Sequence, residues 1–102
     1  MTYADRIEAT LRQIEDRIMA IEDSVDIDYR AADGMLEMIL PQGSRIIINR
    51  QAAVEELWLA ARSGGYHLSW RGDDWFCATT GETLTQLLRR VLDEQGLAGV
   101  AF

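Results

Sequence analysis

The chain is 102 residues long with a mass of 11.5 kDa and 48% hydrophobic content, which suits one modest core and a single domain over 1–102. Its net charge of −7 and pI of about 4.5 argue against DNA, RNA or an anionic membrane as partner, because polyanions demand a basic surface. The first 21 residues alternate charged and apolar side chains too often for a signal peptide, no apolar run is long enough to span a bilayer, and Cys77 stands alone, so the expectation is a cytoplasmic protein with neither an intrachain disulfide nor a thiolate cluster.

A first helix is expected from Tyr3 to Ile21, with Ile7, Leu11, Ile14, Ile18 and Ile21 recurring at spacings of four and three. The period then changes to alternation: Val25, Ile27 and Tyr29 face one way and Asp26, Asp28 and Arg30 the other, predicting a half-buried strand from Val25 to Tyr29. Asp33 and Gly34 read as a type I′ hairpin turn, in which both residues need positive φ. Leu36, Met38 and Leu40 form the return strand, Pro41 to Gly43 break it, and Arg45 to Asn49 supplies a strongly β-prone interior strand.

Gln51 to Ala61 has helical propensity but alternating Leu57 and Leu59, and reads as a turn followed by a short strand. Gly64 and Gly65 are expected to turn the chain into a strand carrying Tyr66, Leu68 and Trp70. Gly72 to Asp74 turn it again before Trp75 and Cys77. Thr83 with Gln86 fits a capping box, opening a second helix with Leu84, Leu87, Leu88, Val91 and Leu92 on one side until Gly96. The last residues, Leu97 to Phe102, fold back onto the core or fray. Two one-sided helices and a meander give an α+β, two-layer sandwich, with both helices on one face of an antiparallel sheet and the other face open to solvent.

The candidate functional feature is acidic. Glu8, Glu15 and Glu22 repeat every seventh residue on the first helix, flanked by Asp5, Asp16 and Asp23, and Asp26 and Asp28 continue the line. Such a stripe is either a solvated face that aids solubility or a surface for cations and basic proteins. Hard cations take carboxylate oxygens, and pairs such as Glu15 with Asp16 and Glu22 with Asp23 can share an ion. Arg6, Arg12 and Arg17 balance the helix only in part. Binding on an exposed face without an enclosing cage is weak and discriminates little between metals.

Other residues carry less. His67, the only histidine, should point away from the core, and Cys77 reads as a small buried hydrophobe. Trp58, Trp70 and Trp75 are core candidates, with Trp58 the one expected on the open face, beside Asn49 and Gln51 of like parity. No nucleophile pairs with His67, no phosphate loop opens a helix, and convex carboxylates lack a cleft to raise a pKa, so no catalytic residue is assigned and an enzyme is the weaker hypothesis.

Gly43 to Gln51, GSRIIINRQ, and Gly64 to Glu82, GGYHLSWRGDDWFCATTGE, together with the acidic helix and the Leu-rich closing helix, resemble the bacterial frataxin homologues of the CyaY group along nearly the whole chain. The resemblance implies the same two-layer fold and weak iron binding, Fe2+ or Fe3+, at Glu15, Asp16, Glu22, Asp23, Asp26 and Asp28. It also implies docking on a cysteine desulfurase through Glu15, Asp16 and Glu22, and contact with that enzyme or the iron–sulfur scaffold protein through Asn49, Gln51 and Trp58. Met19 and Ala20 depart from the pattern, standing where many bacterial relatives look acidic. The expectation is a non-enzymatic, iron-binding regulator of iron–sulfur cluster assembly, monomeric without metal. Its rivals are a ferroxidase-type iron donor and a metal-independent acidic adaptor.

Overall fold

The computed structural model describes residues 1–97 and 99, in which helix α1 (Tyr3–Ile21) leads into strands β1 (Asp28–Ala32), β2 (Met35–Ile39), β3 (Arg45–Gln51), β4 (Glu56–Ala61), β5 (Gly64–Arg71), β6 (Asp74–Cys77) and β7 (Glu82–Thr83), and helix α2 (Leu84–Glu94) closes the fold. The seven strands form one antiparallel sheet in sequence order. Alternation along each strand sends Leu36, Met38, Ile46, Ile48, Leu57, Leu59, Leu68, Trp75 and Cys77 to one face. There they meet Ile7, Ile14 and Ile18 of α1 and Leu84, Leu87, Leu88, Val91 and Leu92 of α2 in a single buried cluster. This is the α+β sandwich predicted, with both helices on that face.

Both helices start on reciprocal capping boxes, Thr2 with Asp5 and Thr83 with Gln86, each satisfying two otherwise orphaned backbone donors. Polar pins then fix α1 against the sheet. Tyr3 Oη donates to the Glu56 carbonyl at 2.6 Å and accepts from the Gln51 amide at 3.1 Å, and Trp75 Nε1 donates to Thr10 Oγ1 at 2.8 Å. At the far end the buried Gln95 holds three segments together. Its Oε1 accepts from the Arg62 amide at 3.0 Å, and its Nε2 donates to Ser44 Oγ at 2.9 Å and to the Arg45 carbonyl.

Several boundaries differ from expectation. Val25 to Ile27 keep the predicted alternation of burial but lie before the sheet, and the first strand runs Asp28–Ala32 instead of Val25 to Tyr29. The Asp33–Gly34 turn is not type I′. Only Gly34 is left-handed (φ 71°), and Asp33 instead accepts a bidentate pair from Arg50 at 3.0 and 3.1 Å. Gly64 and Gly65 begin β5 and the turn is made by Arg62 and Ser63, while Asp74 opens β6. The segment before β4 is a 3-10 turn, Ala52–Val54, ended by Glu55 at φ 52°. Strand β7 adds to the expected elements; its two residues are too few to show a period. Leu97 folds back against the core, and the expectation for 98 and 100–102 lies outside the described residues.

Candidate functional site

Packing the apolar stripe of α1 onto the sheet turns its carboxylates outward. Asp16, Glu22 and Asp23 are exposed and Glu15 is half-buried, facing β1 across the helix–sheet boundary. There Tyr29 lies beside it. Desolvation raises the Tyr29 phenol above its ordinary value of 10.0, and the Glu15 carboxylate adds to this, followed by Glu22 and Asp16. Alternation alone marks Tyr29 only as a strand residue; its place among the carboxylates follows from the helix-to-sheet geometry.

Ile27 is buried on the helix side, so its neighbours Asp26 and Asp28 project the other way, and both are exposed. The acidic ridge therefore wraps the β1 edge of the sheet. Its members converge nowhere: among the described residues no three His, Cys, Asp or Glu side chains come together as a metal cage. The donors are hard oxygens suited to a hydrated hard cation, but the ridge offers them singly and in pairs. Met19 is 50% exposed and Ala20 is exposed as well, so the gap in the ridge is uncharged and open.

The ridge is also electrostatically uncompensated at its lower end. Glu22 is the C-cap of α1, Asp23 follows it, and the last helical turn holds no basic residue. Carboxylates there face the negative end of the helix dipole, an arrangement that costs stability. Higher up, Arg12 pairs with Glu8 at 3.6 Å, both well exposed, a contact of little energetic weight.

Asn49, Gln51 and Trp58 lie on the open face of the sheet, as expected. Leu57 and Leu59 are buried while Trp58 is half-buried, and register places Met35, Asn49, Trp58 and His67 in one row across β2 to β5. The Trp58 indole stacks on His67 with centroids 4.2 Å apart and planes 6° from parallel, and donates Nε1–H to Glu56 Oε1 at 2.9 Å. His67 Nδ1 stands 3.8 Å from the same oxygen. These contacts hold the ring in a fixed pose on an otherwise solvent-facing surface. Trp75 is buried and Trp70 half-buried, meeting edge to face at 5.4 Å, with the Arg6 guanidinium over Trp70.

A groove of about 770 Å3 separates α1 from the β1–β2 hairpin, with Ile7, Leu11 and Leu36 at its base and Arg12 and Arg50 among its lining charges. Cys77 is buried, and hydrogen bonds with Thr79 and Thr80 outweigh desolvation to lower its thiol below the ordinary 9.0. Among the described residues no helix is long and apolar enough to cross a membrane.

A model of the frataxin-like domain matches residues 1–97. The chain is similar to the frataxin of Psychromonas ingrahamii, of the CyaY protein family, at 25% identity and TM-score 0.79, covering 99% of this chain and 97% of that one. Its fold is also that of yeast frataxin, at 19% identity and TM-score 0.75 over 90% of this chain and 81% of that one. A trimeric frataxin from Saccharomyces cerevisiae, complexed with ferrous iron, superposes at 23% identity and TM-score 0.68 over 92% and 85% of the two chains. With the family match spanning all but the last few residues and the overall fold in agreement, the chain belongs to the frataxin family, the group that includes CyaY and is associated with iron binding and iron–sulfur assembly.

Proposed function

We propose that this protein is a non-enzymatic regulator of iron–sulfur cluster assembly that docks on a cysteine desulfurase through the acidic ridge and binds iron weakly there. The observation that carries this reading is the placement of the exposed Glu22 and Asp23 at the C-terminal end of α1, where the last helical turn holds no basic residue. Charge kept against its own helix dipole fits a surface selected for binding. A basic groove on the partner would relieve the repulsion and gain on-rate and register from it.

Iron in this reading is an effector on the surface. Exposed carboxylates supply one or two ligands each and water the remainder, so affinity is low and the ion stays hydrated. A ferroxidase would need a coordination sphere able to tune redox potential, and separated surface carboxylates exert little such control. The sheet face, with Asn49, Gln51 and the stacked Trp58, is the second contact surface, for the scaffold protein or for the desulfurase bound to it.

The test is a backbone amide NMR titration with ferrous iron under anaerobic conditions, and a second with purified desulfurase. Overlapping shifts at Glu15, Asp16, Glu22 and Asp26 are expected in both. The Glu15→Lys, Asp16→Lys, Glu22→Lys variant should weaken both interactions; desulfurase modulation that survives it intact would remove the ridge as the docking face. Ridge shifts with the desulfurase alone would leave a metal-independent adaptor.

A further inference from the structure

The open sheet face carries a cluster of opposite sign to the ridge. Register sets Arg30, Glu37, Ile47, Ala60 and Gly65 in one row across β1 to β5, adjoining the row that holds Asn49, Trp58 and His67. Glu37 is only 5% exposed although it points away from both helices. Arg30 Nε stands 3.2 Å from its Oε1 and Arg45 Nη1 3.3 Å from its Oε2, while those two arginine side chains are 72% and 60% exposed. One covered carboxylate thus serves two solvent-facing guanidiniums, and the cluster presents net positive charge.

Neither guanidinium is saturated. Among the described residues each is paired only with Glu37, through a single nitrogen, and the contact of Arg30 with Oε1 is not an aligned hydrogen bond: that buried oxygen accepts none. The remaining N–H groups of each planar fork are turned to solvent in the geometry that suits a carboxylate. Beyond them the row flattens. Ile47 is half-buried, and Ala60 and Gly65 leave a shallow floor beside the taller Trp58 and His67.

We propose that this row, together with Arg45 in the neighbouring row, docks an extended protein segment bearing Asp or Glu side chains, its carboxylates on Arg30 and Arg45 and an apolar side chain over Ile47 and Ala60 against Trp58. The proposal rests on the reading of the sheet face as a docking surface and names the chemistry of its partner: acidic, where the ridge takes a basic one. The overall charge of −7 opposes such a partner at long range. At physiological salt the Debye length is about 8 Å, so at contact the local arginine pair dominates. Asp28, exposed on the same face in the row of Ile39 and Arg45, offsets the single net positive charge of the three groups, so the site acts through the open N–H groups of its two forks and not through a net charge.

The experiment is a 15N NMR titration at physiological salt, where the long-range repulsion is screened, with two blocked peptides, tetraglutamate and tetralysine. Tetraglutamate should move the Arg30 and Arg45 Nε–H signals and the Ile47 and Ala60 amides. Arg30→Gln with Arg45→Gln should weaken it by about tenfold or more. Glu37→Gln, a near-isosteric change that releases both forks, should tighten it several-fold. Tetraglutamate that leaves these signals still, that moves them equally in the double variant, or that binds less well to Glu37→Gln would overturn the proposal. Tetralysine reports on the ridge alone, so failure of the ridge reading appears in that arm and leaves this one to be judged separately.

Discussion

Glu22 and Asp23 sit where a helix is least hospitable to negative charge, and removing one of them should be stabilising. Glu22→Gln relieves an unfavourable dipole interaction of about 0.3–1 kcal/mol, so thermal unfolding at low salt should shift upward while affinity for the basic partner falls. A variant that loses both stability and binding would mean that Glu22 serves the fold. Gly34 is the opposite case. It is left-handed, and a Cβ there would stand 2.6 Å from the Arg50 side chain that grips Asp33. Gly34→Ala should therefore cost about 1–2 kcal/mol in denaturant unfolding. Single residues were also where sequence reading reached its limit. Exposed carboxylates, the outward Trp58 and the buried Cys77 follow from period and parity. The burial of Glu37 between two arginines, Tyr29 beneath Glu15 and the Trp58–His67 stack each depend on which strands become neighbours, information that no single segment contains.

At the level of elements, periodicity served well wherever one face was buried. The nineteen residues of α1, the capping boxes and the alternating cores of β3 and β4 were legible because burial imposes 3.6 or 2.0 residues per repeat. Boundaries differ where glycine suggests a turn. Gly64 and Gly65 lie in β5, paired with Ala61 and Ala60, because the hairpin closes one step earlier at Arg62 and Ser63. The short β7 and the start of α2 are held by charge: Arg90 Nε donates to Glu82 Oε2 at 2.9 Å and Nη2 to Oε1 at 3.0 Å. The Arg90 guanidinium holds the Glu82 carboxyl below its ordinary value of 4.5. A carboxyl whose folded pKa is depressed contributes stability that is present above the unfolded pKa and lost as pH falls through the folded one. Glu82→Gln should thus lower stability at pH 7 and flatten its decline below about pH 4.5. Urea unfolding of both forms at pH 7 and pH 3 measures it; equal losses at the two pH values would assign the effect to packing alone.

Across the whole molecule, seventeen acidic residues against ten basic ones are distributed unevenly, with the ridge carrying its excess along one helix and one sheet edge. Repulsion within such an array opposes the compact state, which brings the charges together, more than it opposes the unfolded chain. Salt screens interactions between exposed charges beyond a Debye length of about 10 Å at 0.1 M, so raising sodium chloride from low to moderate concentration should raise the melting temperature. Magnesium chloride at equal ionic strength should raise it further if carboxylate pairs on the ridge hold divalent ions in the folded state, since a ligand that binds only the native form stabilises it by mass action. The Glu15→Lys, Asp16→Lys, Glu22→Lys variant separates the two effects from the core. Its melting temperature should start higher at low salt, respond less to sodium and lose the additional response to magnesium. A magnesium increment that persists in the variant would move cation binding off the ridge, and a wild-type melting curve indifferent to sodium would show that the ridge carboxylates already lie far enough apart for water to screen them.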